Sequence, residues 1–219
     1  MGRLVLVEGL DLAGKSTLIR GLEDRFRERG WSVDVCHGDL CANNPVAQVT
    51  REMMRWDPGF NAEEGAPLFL ASHLWDQRHF APPRESNRVH IQDSCALRSL
   101  AFERVLGQEF YAKRLEQAVQ ALPEFHAAYA LTASLKTRLE RFSQRAENDL
   151  HDCFMLSDPV RFARVDSELL KLSTARFGAR LICTDELGPQ AVLELVWKDL
   201  QQKLRGLDRG EGFRRTRAS

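Results

Sequence analysis

Apolar positions fall into two alternating kinds of segment along this chain. Leu4 to Val7 is continuously apolar, as a strand buried on both faces of a parallel sheet must be, and that strand ends at Glu8. Trp31 to Cys36 alternates like a half-buried strand, and Arg88 to Asp93, Phe125 to Leu131 and Ala179 to Cys183 complete a set of five. Between them apolar residues recur at helical spacing. The first helix runs from Lys15 to Arg29, with Leu18, Ile19, Leu22 and Phe26 on one face and Gly30 ending it. Further helices lie near Val46 to Arg55, Glu64 to His79, Ala96 to Ala121, Lys136 to Arg145, Val160 to Phe177 and Pro189 to Leu204. Five strands joined by helical crossovers predict an α/β fold: a five-stranded parallel sheet flanked by helices, with ligand groups at the C-terminal strand ends. Ala81 to Asn87, with Pro82 and Pro83, reads as a surface connector.

The first strand runs directly into Glu8-Gly9-Leu10-Asp11-Leu12-Ala13-Gly14-Lys15-Ser16-Thr17. This contains the spacing G-x-x-x-x-G-K-S. Gly9 and Gly14 allow the tight turns that bring backbone N–H groups onto phosphate oxygens, Lys15 reaches the β- and γ-phosphates, and the Ser16 hydroxyl can ligate Mg²⁺. A strand before the loop and a helix after it are the context such a loop needs, because the helix dipole favours anions at its N-terminus. The cofactor pair predicted is therefore ATP with Mg²⁺, held by residues 9–17.

With 219 residues, the chain suits one domain, read here as residues 1–205 with a flexible basic tail over 206–219 carrying Arg209, Arg214, Arg215 and Arg217. Lys plus Arg equals Asp plus Glu at 31 each, so there is no global basic field and no nucleic-acid partner is expected. Five cysteines form no even framework, which fits reduced thiols. No apolar run is long enough for a bilayer, and no signal-peptide profile opens the chain, so a cytoplasmic protein without a membrane partner is expected. Cys36, His37 and Cys41 are close together, but no second ligand pair with zinc-site spacing follows.

The loop resembles the first motif of thymidylate kinases, in which an acidic residue, here Asp11, lies near the acceptor sugar. Leu68 to Gln77 is similar to the family helix that lines the acceptor pocket. Asp93-Ser94-Cys95 followed by Ser99-Leu100-Ala101-Phe102 resembles the Asp-Arg-aromatic motif and the positions beyond it. Leu139, Arg141 and Arg145, followed by Ala146 to Ser157, resemble the lid of nucleoside monophosphate kinases. Cys183-Thr184-Asp185 resembles the loop that contacts adenine. These matches run in family order from residue 4 to about residue 200.

The resemblance implies a P-loop kinase fold with a lid segment at about 145–157, a small-molecule acceptor and a homodimer. Lys15, Asp93, Arg141 and Arg145 are the implied catalytic residues, with Ser16 and Asp93 at the metal and Asp185 on the adenine side. The arginines would neutralise the transferring phosphoryl group while the closing lid excludes water. Asp11, Asp39, Leu70, His73, Arg78 and Arg98 are the implied acceptor-side residues; His37 and Asn43 follow the second strand nearby. Trp56, Phe69 and Trp75 join Leu70 as candidates for a base-stacking wall.

Two positions depart from the family pattern. The pocket helix has Leu74 or His73 where an arginine grips the acceptor phosphate, and Ser94 and Cys95 replace the Arg-aromatic pair. Permanently charged, bidentate donors are thereby lost. Each such hydrogen bond is worth roughly 1.5–3 kcal/mol, enough together to change phosphate affinity by orders of magnitude. Three readings stay open: a nucleoside monophosphate such as dTMP held by relocated cations, Arg78 or Arg98; an unphosphorylated nucleoside or specialised metabolite; or an ATP-binding module without transfer.

Overall fold

A computed structural model describes residues 1–56, 62–144 and 158–211. The strands are β1 (Arg3–Glu8), β2 (Ser32–His37), β3 (Arg88–Asp93), β4 (Ala127–Thr132) and β5 (Arg180–Cys183), all parallel, in the order β2-β3-β1-β4-β5. Eight helices accompany them among the described residues: α1 (Lys15–Arg27), α2 (Pro45–Trp56), α3 (Ala62–His79), α4 (Ala96–Leu106), α5 (Glu109–Gln120), α6 (Leu135–Ser143), α7 (Pro159–Phe177) and α8 (Pro189–Glu211).

β1 is central and every one of its residues is buried, which explains its unbroken apolar run. Val5 and Val7 meet α1 and α8 through Leu22, Phe26, Val196 and Trp197. Leu6, pointing the other way, packs with Leu97 and Leu100 of α4, Leu115 of α5 and Leu169 of α7. Trp197 closes the first layer edge-on to Phe26, with ring centroids 5.0 Å apart. After β1 the chain crosses towards β2, whereas after β3 it crosses the opposite way towards β4. β1 and β3 are neighbours whose register pairs Val7 with Asp93. Their C-terminal ends therefore form the crevice where an open α/β sheet binds its ligands.

Several boundaries differ from the periodicity. The helix expected over 96–121 is two, because Gly107 adopts φ 78°, a left-handed cap whose N–H reaches the Glu103 carbonyl and ends α4. The helix expected from Lys136 begins at Leu135, because the Ser134 hydroxyl accepts the Thr137 N–H at 3.2 Å as an N-cap. α8 runs to Glu211, into the segment expected to be a tail, although Gly206 and Gly210 are poor helix formers. Arg145, the lid at 145–157 and the end of the tail at 212–219 lie outside the described residues.

Candidate active site

Gly9 leaves β1 at φ 141°. A Cβ there would stand 2.3 Å from the Leu131 carbonyl oxygen of β4, so no side chain fits. Leu12 at φ 63° and Gly14 at φ 96° are the other left-handed positions of the loop, and such turns gather N–H groups into an anion-binding concavity. Gly14 leads into α1 with no side chain capping the helix, which leaves its first N–H groups for a ligand. A pocket of about 220 Å³ opens here, with Asp11, Lys15, Ser16, Thr17 and Arg141 in its wall.

The backs of four consecutive peptides are tied down. Lys15 Nζ lies 3.4 Å from the Leu10 carbonyl, Arg138 donates to that of Asp11, Arg141 Nη1 to that of Leu12 at 2.7 Å, and Thr184 Oγ1 to that of Ala13 at 3.1 Å. In a planar trans peptide the N–H points opposite to the C=O. Holding these carbonyls therefore turns the N–H groups of residues 11, 12 and 14 away from the braces, while that of Ala13 points back at the Leu10 carbonyl at 3.4 Å. Arg138 is not among the residues singled out by the sequence, and Thr184 enters there only as part of the loop expected to contact adenine. Arg138 is 1% exposed; it also donates to the Ala133 carbonyl at 2.9 Å, pairs with Asp166 at 3.0 Å and lies over the Phe162 ring at 5.0 Å. Arg141, expected at the transferring phosphoryl group, is occupied as a brace, with Nη2 on the Thr184 carbonyl at 2.9 Å.

Lys15 is 8% exposed. Burial pulls its pKa down, opposed chiefly by Asp93. Beneath it Glu8 is fully buried, accepts the Cys95 N–H at 2.7 Å and lies 3.3 Å from the Gly9 nitrogen. Burial raises the Glu8 pKa, and the carboxyl links the loop to the start of α4. Asp93 ends β3 with Oδ2 3.0 Å from His37 Nδ1, which raises the His37 pKa. Its Oδ1 is buried without a hydrogen-bond partner. An orphan carboxylate oxygen beside the loop that carries the Ser16 hydroxyl is the donor chemistry a hard cation such as Mg²⁺ takes. Ser94, where the resemblance expects arginine, has φ 61° and a buried hydroxyl without a partner.

The acceptor-side residues divide. Arg98 Nη2 pairs with Asp11 Oδ2 at 2.7 Å. Asp39 accepts the Ser72 hydroxyl and lies 3.5 Å from Arg51 Nη1. His73, its pKa lowered by burial, has Nε2 2.9 Å from Ser99 Oγ. Asp76 accepts the N–H groups of Leu40 and Cys41 and the Asn44 amide, and burial raises its pKa. Ligand atoms of Asp39, His73 and Asp76 all lie within 4.8 Å of one another. Leu70 is half-buried and packs against the core on the α4 side. Arg78 is not brought to the site. At 100° per residue it falls opposite Ser72, His73 and Asp76 on α3, and it is exposed. Asp185 accepts the Ser134 N–H at 2.7 Å, which lowers its pKa, and so braces the entry to α6.

The thymidylate kinase family model matches residues 7–183. Among solved structures, one from Candida albicans described as a thymidylate kinase is similar, with a TM-score of 0.66, 17% identity and 93% of each chain covered. No curated protein sequence matches the chain. No helix among the described residues is long and apolar enough to cross a membrane.

Proposed function

The chain belongs to the thymidylate kinase family, and from that premise we propose that it transfers the γ-phosphoryl group of ATP to a nucleotide-like small molecule, dTMP or a related acceptor. The observation that carries this reading is the set of four braced carbonyls, Leu10 to Ala13, behind a loop that ends in Lys15 and Ser16. A loop so held meets phosphates with its donors already oriented, and phosphoryl transfer depends mainly on such positioning and charge neutralisation.

Residues 9–17 would hold the ATP phosphates, with the Lys15 ammonium on the β- and γ-phosphates. Burial of Lys15 in a site of low dielectric strengthens that contact. Ser16 and Asp93 would hold Mg²⁺, which when bound offsets charge on the phosphates. Asp11, Asp39 and His73 face the acceptor, and Asp185 belongs to the adenine side. Arg145 and a closing lid at 145–157 complete the reading, as do a homodimer and a cytoplasmic location. Val49, Met53 and Trp56 stand exposed along α2 and offer a homodimer an apolar surface.

ADP release from ATP and Mg²⁺, with product masses, is the test. Acceptor-dependent release is expected, and Lys15→Ala should reduce it by about a hundredfold or more. Wild-type turnover in Lys15→Ala would overturn the assignment of the loop. Tight ATP binding without transfer to any acceptor would favour a regulatory module.

A further inference from the structure

Resting on the phosphoryl-transfer reading, the charge pattern of the acceptor side narrows what the acceptor is. Three carboxylates stand on that side, Asp11 in the loop, Asp39 after β2 and Asp93 at the end of β3, with Asp76 of α3 close to Asp39 but buried and already accepting from Leu40, Cys41 and Asn44. Among the described residues, the basic groups that meet them are each held in a pair, His37 being a cation only when protonated. Arg98 is on Asp11 at 2.7 Å, Arg51 is 3.5 Å from Asp39, and His37 is on Asp93 at 3.0 Å. Lys15, 3.4 Å from the Leu10 carbonyl, is assigned to the ATP phosphates rather than to the acceptor. Among the described residues the neighbouring groups include neutral ones, with Ser72 on Asp39 and Ser99 on His73.

A phosphate monoester carries close to two negative charges near neutral pH. To bind here it would have to draw a guanidinium out of an existing pair and then lie against the carboxylate left behind, where like charges repel at short range. Molecules whose polar groups are hydroxyls meet no such conflict. They donate to carboxylates and accept from serine or histidine while every ion pair stays in place. We infer that the acceptor is an unphosphorylated, nucleoside-like molecule, its hydroxyl groups donating to Asp11 and Asp39.

In the resulting transfer, the acceptor hydroxyl oxygen bonds to the γ-phosphorus of ATP. The bond from that phosphorus to the β,γ-bridging oxygen breaks, ADP leaves with the electron pair, and the hydroxyl proton passes through a pocket carboxylate to solvent. The product is a phosphate monoester, so the reaction that consumes it would take a nucleotide-like monophosphate.

The test compares matched pairs, thymidine with dTMP and deoxycytidine with dCMP, for binding to the full chain loaded with a non-hydrolysable ATP analogue and Mg²⁺. At least one nucleoside is expected to bind about tenfold or more tighter than its monophosphate, a preference of one factor of ten in the binding constant. Asp11→Asn, which releases Arg98, is expected to shrink or reverse that preference. Tighter binding of the monophosphates by the wild type, no binding of either nucleoside, or an unchanged preference in Asp11→Asn would each overturn the inference. The kinase reading is judged separately: ADP release with dTMP alone would sustain it while sinking this inference, and failure to bind the ATP analogue would sink both.

Discussion

Glu103 shows at the scale of one residue how far type and placement can disagree. Its position three residues after Leu100 puts it on the buried face of α4, where it is 3% exposed and its Oε2 has no partner. Burial alone pushes its pKa up to about 7 from 4.5. The folded state therefore holds the proton more strongly than the unfolded one. Its contribution to stability is fully present below the unfolded value, falls as pH rises through the interval up to the folded value, and is constant above it. The whole span corresponds to about 3 kcal/mol. Glu103→Met keeps the length and removes the charge. We expect it to be more stable than wild type at pH 8 and to gain much less at pH 4.5, measured as the difference in urea midpoints. Equal differences at the two pH values would show that Glu103 does not titrate this way. The same scale separates what the sequence makes legible from what it hides. Gly9, Gly14, Lys15 and Ser16 announce a phosphate loop because their spacing is local. Arg138 and Thr184 act on that loop from more than a hundred residues away, and no local pattern records such a contact.

At the scale of elements, α6 braces the loop of residues 9–17. Arg138 and Arg141, three residues apart on the same face, each hold one loop carbonyl. Arg138→Lys keeps a charge beside Asp166 but, with a single ammonium, cannot reproduce the contacts to Asp11, Ala133 and Asp166 together. We expect it to raise KM for ATP by about tenfold, consistent with the loss of one charge-assisted hydrogen bond, with kcat changed less. Arg138→Met should cost about 3 kcal/mol of stability by stranding Asp166. Replacing Asp166 with Leu in the same chain should recover stability without restoring KM. If stability and KM recover together, Arg138 is a structural residue only. Helix existence was legible from periodicity throughout, whereas the break between α4 and α5 depended on a single residue. Gly107 could have revealed it, since glycine is the usual residue at a left-handed helix end.

Across the whole molecule, the five strands were legible as apolar or alternating runs, but their spatial order was not, because pairing partners in a parallel sheet are set by crossovers rather than by neighbouring residues. That order makes the loop a junction. Gly9 packs against β4, Glu8 ties β1 to α4, Thr184 joins the end of β5 to Ala13, and α6 braces residues 11 and 12. Nucleotide bound in the loop is thus bound by the assembled sheet and not by a separable segment, and it should stabilise folding by mass action. At a concentration one hundred times Kd the gain is about 2.7 kcal/mol. For a domain of this size, where each kcal/mol moves Tm by roughly 2–4 °C, that predicts a rise of about 5–10 °C with ATP and Mg²⁺. Chelating Mg²⁺ with EDTA should reduce the rise, and at the same ATP concentration Lys15→Ala should lose most of it. A full shift in Lys15→Ala, or one unaffected by EDTA, would mean that the nucleotide binds somewhere other than this loop.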